Sequence, residues 1–284
     1  MEDLHYREYK ILLRPERFFN PEQFEVYWRK LTAIAARHKV DVVTNKNAFQ
    51  RQVREVLFYD THDHTLYKNA FILRRRTFYN DGWPDPNHEL TFKFRHPDLD
   101  NAAAIDITPR LQCSAAIKFK EEVLPLKESL GGMRSLYSHN CVLMSPALEL
   151  NQGIEHVASV FPALAQLSSG TNGAKIRLVN DLSVEEVQVN VGTFSFGRDM
   201  EAKATIAVWR NRASETPLIG EFAFQAKFNH YDDMHAKAKK RSEEFFLDVQ
   251  TQAPEWVALG TTKTALVYGL GKGLGKAAAP VGHE

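Results

Sequence analysis

Residues 71–96 read FILRRRTFYNDGWPDPNHELTFKFRH, two strand-like runs on either side of a turn. Side chains alternate between faces along a strand. Leu90, Phe92 and Phe94 therefore share one face of the second run, with Glu89, Thr91, Lys93 and Arg95 on the other. In the first run Phe71 and Leu73 oppose Arg74 and Arg76, and Arg75 is the exception on the apolar side. Asn80, Asp81, Gly82, Pro84, Asp85 and Pro86 are turn formers. The stretch predicts an antiparallel hairpin with one apolar and one strongly basic face. What that basic face looks at decides the fold: bulk water, or something anionic.

Bulk composition narrows the answer. The chain has 284 residues, 44% hydrophobic and 25% charged, the profile of an ordinary folded protein with room for a sizeable core. Net charge is only +1, so no global field draws in nucleic acid, and any anion site is local. Two cysteines, Cys113 and Cys141, are too few for a disulfide framework or a thiolate metal site, and they favour a reducing, cytoplasmic setting. The opening MEDLHYREYK lacks the apolar core of a signal peptide, and no apolar run is long enough to span a bilayer.

Other segments repeat the hairpin's design. HYREYKILL (5–13) alternates as a strand, and Asn20, Pro21 and Gln23 then announce a helix, with Phe19 expected to staple on Phe24. VREVLFYD (53–60) is a further strand, followed by a turn in which His62 and His64 flank Asp63; without another ligand nearby, that trio reads as polar side chains turned to solvent. AAIKFKEEV places Lys118, Lys120 and Glu122 opposite Ile117 and Phe119. Residues 125–169 carry helix-like spacing broken by Gly and Pro, which predicts short helices outside a sheet. Strands resume in AKIRLVN, EEVQVNVGTFSF, EAKATIAVWRN and LIGEFAFQAKF, and a helix is expected near residues 233–249. The late GLGKGLGK lacks both the spacing and the Ser or Thr of a phosphate loop, and residues 269–284 read as a flexible tail after a single domain over 1–268.

Lys10, Arg74, Arg76, Lys93, Arg95, Lys118, Lys120, Lys175, Arg177 and Lys227 all stand opposite apolar neighbours. One account is an antiparallel sheet with a solvated face. Solvated faces usually mix signs, however, because like charges on paired strands repel. The other account closes the sheet, turns its apolar faces outward under helices and lines the lumen with cations, which then require an anion.

In order, these motifs resemble the CYTH, or triphosphate tunnel metalloenzyme, superfamily. Glu8 and Lys10 match its Glu-x-Glu-x-Lys strand, Phe58 to Thr61 its Phe-Asp-Thr, and Leu73, Arg74 and Arg76 its Leu-Arg-x-Arg. Leu90, Thr91 and Lys93 match Leu-Thr-x-Lys, Lys120 and Glu122 a basic-x-Glu element, Lys175 and Arg177 a Lys-x-Arg strand, and Thr262 and Lys263 a late Ser-Lys element. The departures all fall on acids: Tyr6, Asn190, Ala223 and Gln225 stand where the family has carboxylates.

The resemblance implies an α+β fold, a closed eight-stranded antiparallel barrel with helices outside and a helical insert at about 125–169. It implies a metal-dependent phosphohydrolase acting on a triphosphate or polyphosphate. Lys10, Arg74, Arg76, Lys93, Lys120, Lys175, Arg177, Lys227 and Lys263 would hold the phosphates. Glu8 and Glu221 would be catalytic, and with Glu122 they would hold Mg²⁺ or Mn²⁺, one ion more readily than two. The thinned acids keep open a second reading, a non-catalytic module that binds polyphosphate as sensor or scaffold. Neither reading calls for a membrane or a specific nucleic acid.

Overall fold

A computed structural model of the protein describes residues 4–111, 114–144, 152–170 and 173–269. Nine strands form a closed ring: β1 (Tyr6–Leu13), β2 (Gln52–Asp60), β3 (Phe71–Asn80), β4 (Glu89–His96), β5 (Ala115–Pro125), β6 (Met133–Met144), β7 (Val184–Ser195), β8 (Glu201–Asn211) and β9 (Pro217–Lys227). Around the ring the order is β1, β5, β6, β4, β3, β2, β7, β8, β9 and back to β1. Every contact is antiparallel except β1 with β5, which is parallel.

The expectation of eight antiparallel strands is therefore corrected to nine in a mixed ring. A closed ring alternates direction throughout only if its strand number is even, so the ninth strand forces one parallel contact. That ninth strand is β6, inside the stretch expected to be a helical insert. Its register with β5 puts Ser138 beside Lys120 and Asn140 beside Lys118, while Cys141 and Leu143 face an outer core. Helices do follow it, at α3 (Ile154–Val160) and Ala165–Ser169, after α1 (Glu22–Arg37) and α2 (Thr65–Lys68). AKIRLVN contributes only a two-residue strand, Arg177–Leu178, paired with the end of β2.

Apolar faces point outward, as the closed-sheet account expects. Phe71, Leu73, Leu90, Phe92 and Phe94 pack under α3, where Phe92 and Phe161 stack at 4.2 Å. The opposite wall packs Tyr9, Phe194, Phe222 and Phe224 against α1 and α4 (Ala236–Gln252). At the start of α1, Phe18 packs on Phe24 at 5.3 Å, whereas Phe19 is exposed, and no side chain caps the helix. Capping is dispensable where an aromatic stripe already anchors the helix. A third cluster gathers Leu12, Phe58, Ile72 and Trp209 with Val267 and Tyr268 of a terminal helix, α5 (Lys263–Gly269). Of the expected glycine-rich tail, residues 270–284 lie outside the described residues. No helix among the described residues is long and apolar enough to cross a membrane.

Candidate functional site

The barrel encloses a cavity of about 350 Å³, lined among the described residues by eleven lysines and arginines against four glutamates. That volume lies in the range of small-ligand sites. The charged residues arrive there because side chains alternate along each lining strand, and Leu12, Phe58, Ile72 and Trp209 share the inward face with them.

Two charge clusters divide the lumen. In the first, Glu8 and Glu122 are direct partners across the parallel β1–β5 contact. Lys10 Nζ sits between them, 2.9 Å from Glu8 Oε2 and 3.2 Å from Glu122 Oε1. Lys120 lies 3.3 Å from Glu8, while Lys93 and Arg95 both pair with Glu122. Ser138 Oγ donates to Glu122 at 3.0 Å. Burial drives the Glu8 carboxyl upward, but Lys10 and Lys120 outweigh it and hold the group at about 2. Glu122 is held well below the usual range by Arg95, Lys10 and Lys93 despite its burial. Burial and neighbouring Arg95 push the Lys93 ammonium well below its ordinary value.

The second cluster centres on Glu186, which is 1% exposed. Arg54 reaches it at 2.6 Å, Arg76 and Lys263 at 3.5 Å, and Trp209 Nε1 donates to it at 2.9 Å. Lys263 also pairs with Glu221 at 2.7 Å and lies over the Trp209 ring. Arg74 donates to Thr91 at 3.1 Å, and burial together with Arg76 lowers its pKa. Glu89 receives Arg76 at 3.2 Å.

Of the residues expected to hold phosphates, Lys10, Arg74, Arg76, Lys93, Lys120 and Lys263 line the lumen. Lys175, Arg177 and Lys227 do not; all three are exposed. Arg177 lies on the short strand beyond the ring, and Lys227 ends β9, where its ammonium faces the Tyr6 ring at 6.0 Å. Tyr6 also takes Lys120 over its ring at 5.4 Å. Sequence reasoning missed Arg54, whose inward neighbours Val56 and Phe58 hide any alternation of charge, and gave Glu186 no role. Lys127, Arg134 and Lys203 line the cavity as well.

The expected metal set of Glu8, Glu122 and Glu221 does not come together. Glu8 stands opposite Gln225, and Glu221 stands opposite Leu12. Four residues of strand therefore separate Glu8 from the level of Glu221, roughly 13 Å at ~3.3 Å per residue. Each of the three carboxylates already faces a lysine, and among the described residues no three His, Cys, Asp or Glu converge on a point that would hold an ion. The Glu8 and Glu122 pair is what remains of that set.

No family model matches the chain, and no curated protein matches it in sequence. The likeness to solved structures is one of fold alone. The chain is similar to a proposed adenylyl cyclase from Hippeastrum described as having a dominant triphosphatase activity, at 9% identity and a TM-score of 0.43, over 93% of this chain and 95% of that one. A proposed adenylate cyclase from Bacillus halodurans matches at 9% identity and a TM-score of 0.39, over 93% and 98%. A protein from Pyrococcus horikoshii matches at 11% identity and a TM-score of 0.35, over 91% and 98%. The likeness runs along nearly the whole chain. At such identities it transfers no residue roles.

Proposed function

We propose that the lumen binds a linear triphosphate or short polyphosphate, and that this chain acts first as a polyanion-binding module. The observation that carries the reading is the convergence of eleven cationic side chains on one enclosed cavity in a chain of net charge +1. Such a lumen is costly to fold without counter-charge, and four glutamates leave most of it unmatched. Arginine offers forked donors to phosphate oxygens, and lysine offers point charges that follow a flexible anion. The glutamates already in place act as internal stand-ins, which a phosphate chain would displace.

Hydrolysis is the second reading, and the adjacency of Glu8 and Glu122 favours it. One or two carboxylates suffice for Mg²⁺ or Mn²⁺ when phosphates complete its shell, and such an ion would polarise a phosphoryl group. On this reading the arriving ligand draws Lys10 and Lys93 off the two carboxylates and frees them.

Thermal melting with tripolyphosphate in chelator, beside phosphate release with and without Mg²⁺ or Mn²⁺, separates the readings. Binding at a hundredfold excess over Kd stabilises by about 2.7 kcal/mol. For a chain of this size that is a rise of roughly 5 to 10 °C. A rise in chelator without turnover supports the binding module. Metal-dependent release that Glu8→Gln abolishes establishes the hydrolase instead, and unchanged melting with every polyphosphate tried sinks both.

A further inference from the structure

Among the described residues, Lys263 is the one lumen cation carried by α5 and not by a strand or the hairpin loop between strands. Its position depends on how that helix is held. The helix spans Lys263–Gly269, too short to be stable alone, so its neighbours fix it. At its start Thr262 Oγ1 accepts from the Ala265 amide at 3.1 Å. At its end Asn180 Nδ2 donates to the carbonyls of Val267 and Tyr268 at 2.8 and 3.2 Å, satisfying oxygens that a helix terminus leaves bare.

Tyr268 is the tightest point. Its ring stacks on Tyr67 at 4.1 Å, and His64 meets it edge-on at 4.9 Å. Its hydroxyl donates to Asp60 Oδ2 at 3.0 Å. Asp60 is fully buried and cannot drift, because its carboxylate also accepts the amides of Thr61, Leu66 and Tyr67 at 2.7, 2.8 and 2.9 Å. The last residue of β2 thus pins α2 and α5 together. Five residues separate Tyr268 from Lys263, about 7.5 Å of helix, so the two ends move as one rigid piece.

We propose that Asp60 and Tyr268 are positioning residues, a latch that sets the depth to which Lys263 enters the lumen between Glu186 and Glu221. The latch rests on the reading of the lumen as a polyphosphate site, but its mechanical part does not need a ligand. Tyr268→Phe keeps the ring stack and removes only the hydroxyl, so the variant retains its core.

Two measurements test it. The first is acetylation of Lys263 relative to Lys10, read by mass spectrometry on the whole, ligand-free chain. Tyr268→Phe raises that ratio about tenfold, the weight of one hydrogen bond to a charged group. An unchanged ratio, including a rise of both lysines together, overturns the latch. The second is a double-mutant cycle on tripolyphosphate affinity. Tyr268→Phe weakens binding in the otherwise native chain and has no further effect in a Lys263→Met background. Equal losses in both backgrounds overturn the proposal, since a general structural role does not vanish with Lys263. If the native chain ignores tripolyphosphate, the proposed function falls, while the acetylation ratio still decides the latch.

Discussion

Glu8 and Asp60 are both buried carboxyls, and their surroundings send them in opposite directions. Glu8 is held at about 2 against an ordinary 4.5 because Lys10 and Lys120 outweigh its burial. For Asp60 burial is the largest influence, and it pushes the carboxyl up to about 6 from 3.8 against the pull of three amides and the Tyr268 hydroxyl. The depressed group contributes stability that is complete above pH 4.5 and is lost as pH falls toward 2. The raised group works the other way: the folded state holds its proton longer, so stability declines as pH rises from 3.8 to 6 and is level beyond. The melting temperature is therefore expected to peak near pH 4.5 to 5 and fall on both sides, steeply on the acid side, where Glu122 and Glu186 add to Glu8. Melting scans from pH 3 to 8 check this, with Asp60→Asn flattening the slope between 4 and 6; a flat profile through that range contradicts the assignment. Such environments were half legible in the sequence. Alternation told that Arg74, Arg76 and Lys93 share a face, because that face is interrupted by few apolar residues. It told the same of Lys175, Arg177 and Lys227, wrongly, since parity says which side a residue takes and not whether its strand extends along the lumen.

At the scale of elements, the parts that sequence hides are those whose alternation is blurred. β6 has Tyr137 and His139 on its outer face beside Cys141 and Leu143, and Leu136 amid polar inward residues, so neither face is clean and the nearby leucines suggest a helix. β7 poses a different difficulty, because it changes partners midway. Residues Val184–Gln188 pair with β2, whereas Gly192–Ser195 pair with the short strand Asp41–Thr44. A bulge at Asn190/Gly192 separates the two halves, as expected where a strand must bend out of one ladder into another. Gly192 is what allows the bend. A Cβ there would lie 2.2 Å from the Val43 carbonyl oxygen and 2.9 Å from the Trp28 ring. Backbone cannot yield as a side-chain tip can, so Gly192→Ala is expected to destabilise by about 2 kcal/mol through overpacking. Urea unfolding monitored by Trp fluorescence measures it, and a loss below about 0.5 kcal/mol, the usual range for a surface change, would show that the bulge tolerates a side chain.

For the molecule as a whole, the lumen's surplus of cations in a nearly neutral chain means that the remaining surface carries the balancing acids. The field is thus inward and local, and the fold stores repulsion that a ligand would relieve. Lys93 is where that storage is most concentrated: it is 9% exposed, its ammonium is pushed well down by burial and then Arg95, and Lys10 adds to the repulsion. Replacing it by methionine removes a buried charge while keeping the volume, and Glu122 retains Lys10, Arg95 and Ser138 as partners. Lys93→Met is therefore expected to melt higher than the native chain without ligand, by about 1 kcal/mol or roughly 2 to 4 °C. It should also bind tripolyphosphate about tenfold more weakly, since a charged donor to phosphate is lost. Under the proposed function the two effects have one origin, the exchange of stability for an anion site, and they appear together. A variant that melts lower and binds equally well would mean that Glu122 alone neutralises Lys93, leaving no repulsion for a phosphate chain to relieve at that position.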